Sequence, residues 1–289
     1  MLEPADPGRD GSGNSFSQNS ESSNLSSTVS FAIRLPEDEG DPPIPRGVLG
    51  SMEPSPYHNW KRVWELPVAL LLAPPALMMT LPLILLVRLT SKGPGIYKQT
   101  RSGLNGKTFT MYKLRSMRID AEADGLPKWA AGDKDKRITK VGYWLRKLHL
   151  DELPQIINVI RGDMSFCGPR PERPEIVKDL ENGVPYYLSR LAVRPGITGY
   201  SQINLPADDG LVSVIRKQML DMEYIENATV YDDVRMVACT ALRLVGVPGS
   251  LATKLAGLTM RPEESRFSHH YCDLITQHGN KIEKEKVEG

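Results

Sequence analysis

The chain has 289 residues, room for one or two domains, and its 36 basic and 35 acidic side chains leave a formal charge of +1. Its three cysteines, Cys167, Cys239 and Cys272, are far apart and odd in number, which excludes a disulfide framework and a zinc pattern and suits a reducing compartment. No recognised motif and no alternation of basic and aromatic residues supports nucleic acid as a partner.

The charge is unevenly spread. Residues 1–57 carry 3 basic and 9 acidic side chains, residues 58–262 carry 29 and 20, and the remainder carries 4 and 6. A basic middle suits a phosphate-rich substrate or an anionic membrane surface. Residues 1–57 are rich in Ser, Gly, Pro, Asn and acids, with one apolar patch from Val29 to Ile33. They bury too little apolar surface to offset their ordering entropy and are predicted to be a disordered N-terminal extension, either dispensable or a docking tail. The stretch has neither the basic start nor the apolar core of a secretory signal.

Residues 58–92 contain the predicted membrane segment. Leu66–Val87 is an uncharged run of 22 residues, nominally long enough to cross a bilayer. Pro74 and Pro75 near its centre each lack a backbone donor and predict a break. Lys61 and Arg62 precede the run and Arg88 and Lys92 follow it, and positive charge marks the cytoplasmic side. Two arms of roughly 15 Å are too short for about 30 Å of hydrocarbon. The expectation is a re-entrant helix that dips in and returns, with a kinked spanning helix as the alternative.

Residues 93–248 follow as a single predicted domain. Gly93-Pro94-Gly95, Gly103 and Asn105-Gly106 are turn signals, and the flanks Ile96-Tyr97 and Phe109–Tyr112 predict the two strands of a hairpin. Lys98, Arg101, Lys107, Lys113, Arg115 and Arg118 decorate it, a pattern that is usually a solvated face. Asp120–Lys136 reads as a surface helix and loop anchored by Trp129. Val141, Trp144, Leu145 and Leu148 then fall at helical spacing, Leu153, Ile156, Ile157 and Ile160 repeat it, and Gly162 marks a stop. Between the two segments stand adjacent carboxylates, Asp151 and Glu152. Pro154 suits a first helical turn, which puts the pair at the mouth of the second segment. Arg146 and Lys147 precede the pair, and Arg170 and Arg173 follow in a proline-rigid turn. Two carboxylates ringed by arginines suit either a structural ion-pair network or a site for phosphate and a divalent metal.

Further on, Pro195 and Gly196 fix a turn behind Arg194, a suitable clamp for a diphosphate or else a partner for an acid. Gln218–Leu244 reads as helix, with Asp221 either a further carboxylate of the site or a surface acid, and with Asp232-Asp233 resembling a helix start. Residues 249–289 are predicted to be a C-terminal extension, flexible at its end. His58, His149, His269, His270 and His278 show no metal spacing, and the adjacent His269–His270 pair reads as solvated.

Four blocks carry a family resemblance: KRVWELPVALLLAPP, GPGIYKQTRSGLNGKTFTMYKLRSM, DKRITKVGYWLRKLHLDELPQIINVIRGDMSFCGPRPERPE and RLAVRPGITGYSQIN. In order and spacing they resemble the bacterial sugar transferases, the small monotopic polyprenyl-phosphate phosphoglycosyl transferases, over roughly Lys61–Asn204. The family often has Ser-Pro at the helix break where this chain has Ala73-Pro74-Pro75, and Asp-Pro-Arg where it has Asp135-Lys136-Arg137. The resemblance implies an α+β, mostly α fold: a compact interfacial catalytic domain with a re-entrant helix broken at proline and a small β-hairpin. It implies transfer of a sugar 1-phosphate from a UDP-sugar to undecaprenyl phosphate at the cytoplasmic face of the bacterial inner membrane, with release of UMP. Such a reaction begins exopolysaccharide, capsule, O-antigen or glycoprotein glycan synthesis, and downstream glycosyltransferases are expected partners. By the same resemblance Asp151 is the nucleophile, Glu152 helps it hold Mg²⁺ or Mn²⁺, Arg146, Arg170 and Arg194 are phosphate ligands, and Lys113, with Arg115 in the same block, is a candidate. The rival readings are a glycosyltransferase that releases UDP and a non-catalytic membrane scaffold.

Overall fold

The computed structural model describes residues 53–121, 135–181, 183–184, 186–206, 210–268 and 271. The disordered reading of residues 1–52, the surface segment around Trp129, the His269–His270 pair and the flexible end from Cys272 lie outside the described residues.

One turn of helix, α1 (Tyr57–Trp60), leads into α2 (Arg62–Thr90), 29 residues long and the one described helix apolar and long enough to cross a membrane by length and composition. α2 is helical without interruption through Pro74 and Pro75, where the sequence predicts a break. The prolines free only the carbonyls of Leu70 and Leu71, both on the exposed face, while Ala69 and Ala73 are packed into the core on the other. Small side chains let α2 approach α4 (Ile156–Arg161), and Ala69, Ala73 and Ala76 meet a cluster containing Ile156, Ile157, Val159 and Ile160. Further along, Leu83, Ile84 and Val87 pack on Leu114 and Leu145. Both ends of α2 therefore rest on the same body. Arg62 donates to Val159 O (2.9 Å) and Ile160 O (2.7 Å) at one end, and Ser91 at the other accepts from Arg115.

The predicted hairpin forms from β1 (Ile96–Ser102) and β2 (Thr108–Leu114), antiparallel, with Ile96 opposite Leu114 and Ser102 opposite Thr108. Its turn puts Asn105 in the left-handed region at φ 54°, the conformation that favours Asn-Gly there. A second sheet has no counterpart in the sequence reading. β3 (Ser165–Cys167) pairs in parallel with β4 (Gly196–Thr198). Glycine is required at this crossing, because a Cβ on Gly196 would lie 2.1 Å from Gly168 N.

The dyad region is built from α3 (Lys140–Lys147), a 3-10 turn Leu150–Gln155, and α4. Thr139 caps α3 through Gly142 N, and Gly162 ends α4 in the left-handed region at φ 86°. Of the apolar positions in the first segment only Leu145 is buried, and Trp144 stays 57% exposed. Between β3 and β4 lie α5 (Pro174–Leu180) and a 3-10 turn Tyr187–Ala192; α6 (Tyr200–Asn204) follows β4. Gln218–Leu244 is two helices rather than one, α7 (Leu211–Asn227) and α8 (Val230–Leu244). Thr229 and Asp232 form a capping box that restarts the chain, in keeping with the predicted helix start.

The expected extension beyond residue 248 begins inside the core. After α9 (Gly249–Leu255), Ala252 and Leu258 belong to the same buried cluster as Ile156 and Met236, and Tyr271 is fully buried with its hydroxyl on Met222 Sδ. At the other end Ser55 bonds Ile225 O and Ala228 O, so the last residues of the expected N-terminal extension are tied down.

Candidate active site

The 3-10 turn holds Asp151 and Glu152 just ahead of α4 and against β2. Its entry is His149, held in the left-handed region at φ 51°. Lys113 on β2 donates to Glu152 Oε1 at 2.8 Å, and Arg170 Nη1 stands 3.7 Å from the same oxygen. Asp151 is 7% exposed, and no ion pair or hydrogen bond with a described residue occupies its carboxylate. Arg146, whose field acts on Asp151, is held by its Nε on Ser116 Oγ at 2.8 Å. A narrow cleft beside the turn is lined by Arg101, Lys113, Gln155, Arg170 and Pro171.

These neighbours split the two carboxyls. Burial pushes the Asp151 carboxyl above its ordinary value and the adjacent Glu152 charge adds to that, against the pull of Lys113, Arg146 and Arg170. Burial also acts to raise Glu152, but Lys113 and Arg170 outweigh it and hold the carboxyl at about 2. The Lys113 ammonium is lowered by its burial, with Glu152 partly restoring it. Glu152 is thus a fixed anion already committed to cations. Asp151 is the carboxylate left available.

Of the sequence candidates, Lys113, Arg146, Arg170, Asp151 and Glu152 converge, and three do not. Arg115 is buried under the end of α2, where Nη2 donates to Ser91 O (2.9 Å) and Ser91 Oγ (2.7 Å). Arg194 lies at the far end of α4, donating from Nε to Gly162 O at 3.1 Å. Asp221 is buried with Arg190 at 3.0 Å and Ser201 at 2.6 Å. Sequence reasoning missed Arg101 in the cleft wall, counted there among solvated basic residues, and Arg190, which opens the RLAVRPGITGYSQIN block but drew no role there.

A second polar cluster was also hidden. Lys61 is buried beneath the start of α2, 2.7 Å from Asp233 Oδ2, and donates to Cys167 O and Tyr224 OH. Tyr57 and Tyr224 each donate to Asp233 at 2.7 Å, and Ser165 and Phe166 N donate to Glu65. This network fastens α2 to α7, α8 and β3.

A dyad with Asp151 buried, beside two cations and next to a long apolar helix docked at both ends, is an arrangement suited to anionic groups. The chain matches the bacterial sugar transferase family over residues 56–246 and belongs to it. It is 38% identical over 194 residues to a UDP-N-acetylgalactosamine-undecaprenyl-phosphate N-acetylgalactosaminephosphotransferase of Aeromonas hydrophila, covering 65% of this chain and 44% of that protein. It is 38% identical over 182 residues to a UDP-glucose:undecaprenyl-phosphate glucose-1-phosphate transferase of Xanthomonas campestris pv. campestris, covering 61% of this chain and 37% of that one. A putative undecaprenyl-phosphate N-acetylgalactosaminyl 1-phosphate transferase of Bacillus subtilis (strain 168) is 46% identical over 135 residues, 47% of this chain and 74% of that protein. The chain thus spans less than half the length of the first two relatives.

Proposed function

We propose that this protein transfers a sugar 1-phosphate from a UDP-sugar to undecaprenyl phosphate at the cytoplasmic face of the inner membrane. The observation that carries the reading is the buried Asp151 carboxylate, which no described residue pairs, beside a Glu152 neutralised by Lys113 and Arg170. Asp151 attacks the sugar-bearing phosphorus, the bond from that phosphorus to the bridging oxygen breaks, and UMP leaves with the electron pair. An oxygen of undecaprenyl phosphate then attacks the same phosphorus and Asp151 leaves as carboxylate. Arg170 and Lys113 beside Glu152 would meet the charge that gathers on the transferring group, and the field of Arg146 also acts on Asp151.

The oxygen-only dyad fits Mg²⁺, which takes one or two carboxylates and completes its shell with water and substrate phosphate. Asp151 and Glu152 Oε2 are the oxygens free to hold it. The metal when bound neutralises the diphosphate and so eases approach of a carboxylate.

We propose that α2 stays at one face of the membrane and does not span it. About 43 Å of helix that crossed the bilayer would leave one end beyond reach of the domain, whereas Arg62 and Ser91 both dock on it. Leu71, Met78, Leu81 and Leu89, each at least 66% exposed, supply a lipid-facing side.

The test is nucleotide release by the purified full chain in detergent, given Mg²⁺, a mixture of UDP-sugars and undecaprenyl phosphate. Metal-dependent UMP with a phosphosugar trapped on Asp151 is expected. UDP in its place would mean glycosidic transfer, and no nucleotide together with an active Asp151→Asn variant in cells would mean a scaffold.

A further inference from the structure

The segment Gly168–Arg173 has no regular secondary structure, yet four successive carbonyls in it are held from outside. Pro169 O accepts from Gly196 N at 2.9 Å and Glu172 O from Ser102 N at 2.8 Å. Between them Arg170 O accepts from Arg190 Nη2 at 3.2 Å, and Pro171 O from Arg101 Nη1 at 2.9 Å. The middle two donors are guanidiniums, themselves aligned. Arg190, 8% exposed, is fixed by Asp221 Oδ2 at 3.0 Å and by Tyr187 OH at 2.5 Å, and Asp221 is pinned by Ser201. Arg101 is fixed by Glu172 at 3.4 Å and Gln99 at 2.5 Å.

A buried ion pair is a poor source of net stability, so its placement on a loop peptide asks for another reason. The side chain that this loop presents is Arg170, 43% exposed and 3.7 Å from Glu152. Pro169 and Pro171 fix their own φ angles and Pro171 also restricts Arg170 before it, which leaves the remaining torsions of the loop to the bonds on its carbonyls. The bond from Arg190 to Arg170 O and the bond from Arg101 to Pro171 O hold the peptide planes just after those torsions. A guanidinium on a fixed backbone gives up little freedom when it meets a phosphate.

We propose that Arg190, locked by Asp221, is a positioning residue that sets the Arg170 guanidinium beside the dyad for a nucleotide diphosphate, with Arg101 as the second grip on the loop. The role rests on the function proposed above, in which Arg170 is a phosphate ligand. Arg190 acts only through Arg170. Loss of Arg190 is therefore silent once Arg170 is gone, although its cost in stability remains.

The experiment is a double-mutant cycle on the full chain in detergent, read as UDP affinity by calorimetry, with melting temperature followed alongside. Arg170→Ala is expected to weaken UDP about 10-fold or more, and Arg190→Gln by several-fold. The double variant should bind no more weakly than Arg170→Ala alone, while the two losses in melting temperature add. Arg190→Lys keeps a charge for Asp221 without the fork that reaches Arg170 O, and should recover stability more than affinity. If Arg190→Gln does not fold, the milder Asp221→Asn goes through the same cycle. Losses of affinity that multiply, or an Arg170→Ala variant that binds UDP like the parent, would overturn the proposal. A coupled cycle in a protein that releases no UMP would instead leave the clamp standing and reject the transferase reading.

Discussion

Burial presses on both carboxyls of the dyad, and what separates them is which one the cations reach. Glu152 has Lys113 at hydrogen-bond distance and sits near 2; Asp151 has only the longer-range fields of Lys113, Arg146 and Arg170 and is raised. In the proposed reaction Asp151 attacks as the anion, and in the metal-free protein that anion is present above the raised pKa and lost as pH falls through it. The Asp151 carboxyl of the metal-free protein should accordingly titrate above 3.8, the ordinary Asp value, as followed by NMR, and Asp151→Asn should cost more than about 10³-fold in rate. A metal-free titration below 3.8 would contradict the burial of Asp151, and an Asp151→Asn variant of full rate would place the nucleophile elsewhere. For Glu152 the sign reverses. Its folded pKa lies below the ordinary 4.5, so its stabilisation is full above pH 4.5 and fades as pH falls toward about 2. In Lys113→Met that acid-dependent loss, on the order of 2 kcal/mol, should shrink, as seen in urea midpoints between pH 5 and 2.

Among the elements, the short β3–β4 pair has consequences out of proportion to its length. It joins the start of the Pro-Arg-Pro loop to the turn after Arg194, and Gly168 and Gly196 face each other at backbone contact distance. Gly196→Ala has no free volume for its methyl group and should cost about 1–3 kcal/mol or more, with loss of UDP affinity through the displaced loop. Equal melting temperatures for parent and variant would contradict the packing. The same reasoning applies at Gly142, where a Cβ would fall 1.9 Å from Ser116 O, the residue whose hydroxyl holds Arg146.

At the scale of the whole molecule, α2 is both anchor and structural wall. Lys61 at its threshold is enclosed with Asp233, 172 positions away in the chain, and removal of one partner leaves a buried charge uncompensated. Lys61→Met should destabilise by about 3–5 kcal/mol, measured as thermal unfolding in detergent. Topology has its own test. Cysteines introduced at Asn59 and Lys92 should react with an impermeant reagent from the same side of the membrane. Labelling from opposite sides would establish a spanning α2.

Several features were legible in the chain because they depend on near neighbours. The apolar run became α2, Asn105-Gly106 became the hairpin turn, Gly162 ended α4, and the dyad fell between two helical segments. Composition and local periodicity suffice for these, since turn chemistry and side-chain spacing act within a few residues. The continuity of α2 through Pro74-Pro75, the parallel β3–β4 pair and the packing of Ala252 and Leu258 into the core required tertiary contact. So did the sorting of arginines. Arg115, Arg170, Arg190 and Arg194 look alike in sequence, but one ties down the end of α2, one faces Glu152, one holds a loop and one caps α4. A guanidinium's role is set by the acceptors that folding brings within 4 Å of it, and those lie some twenty or more residues away along the chain.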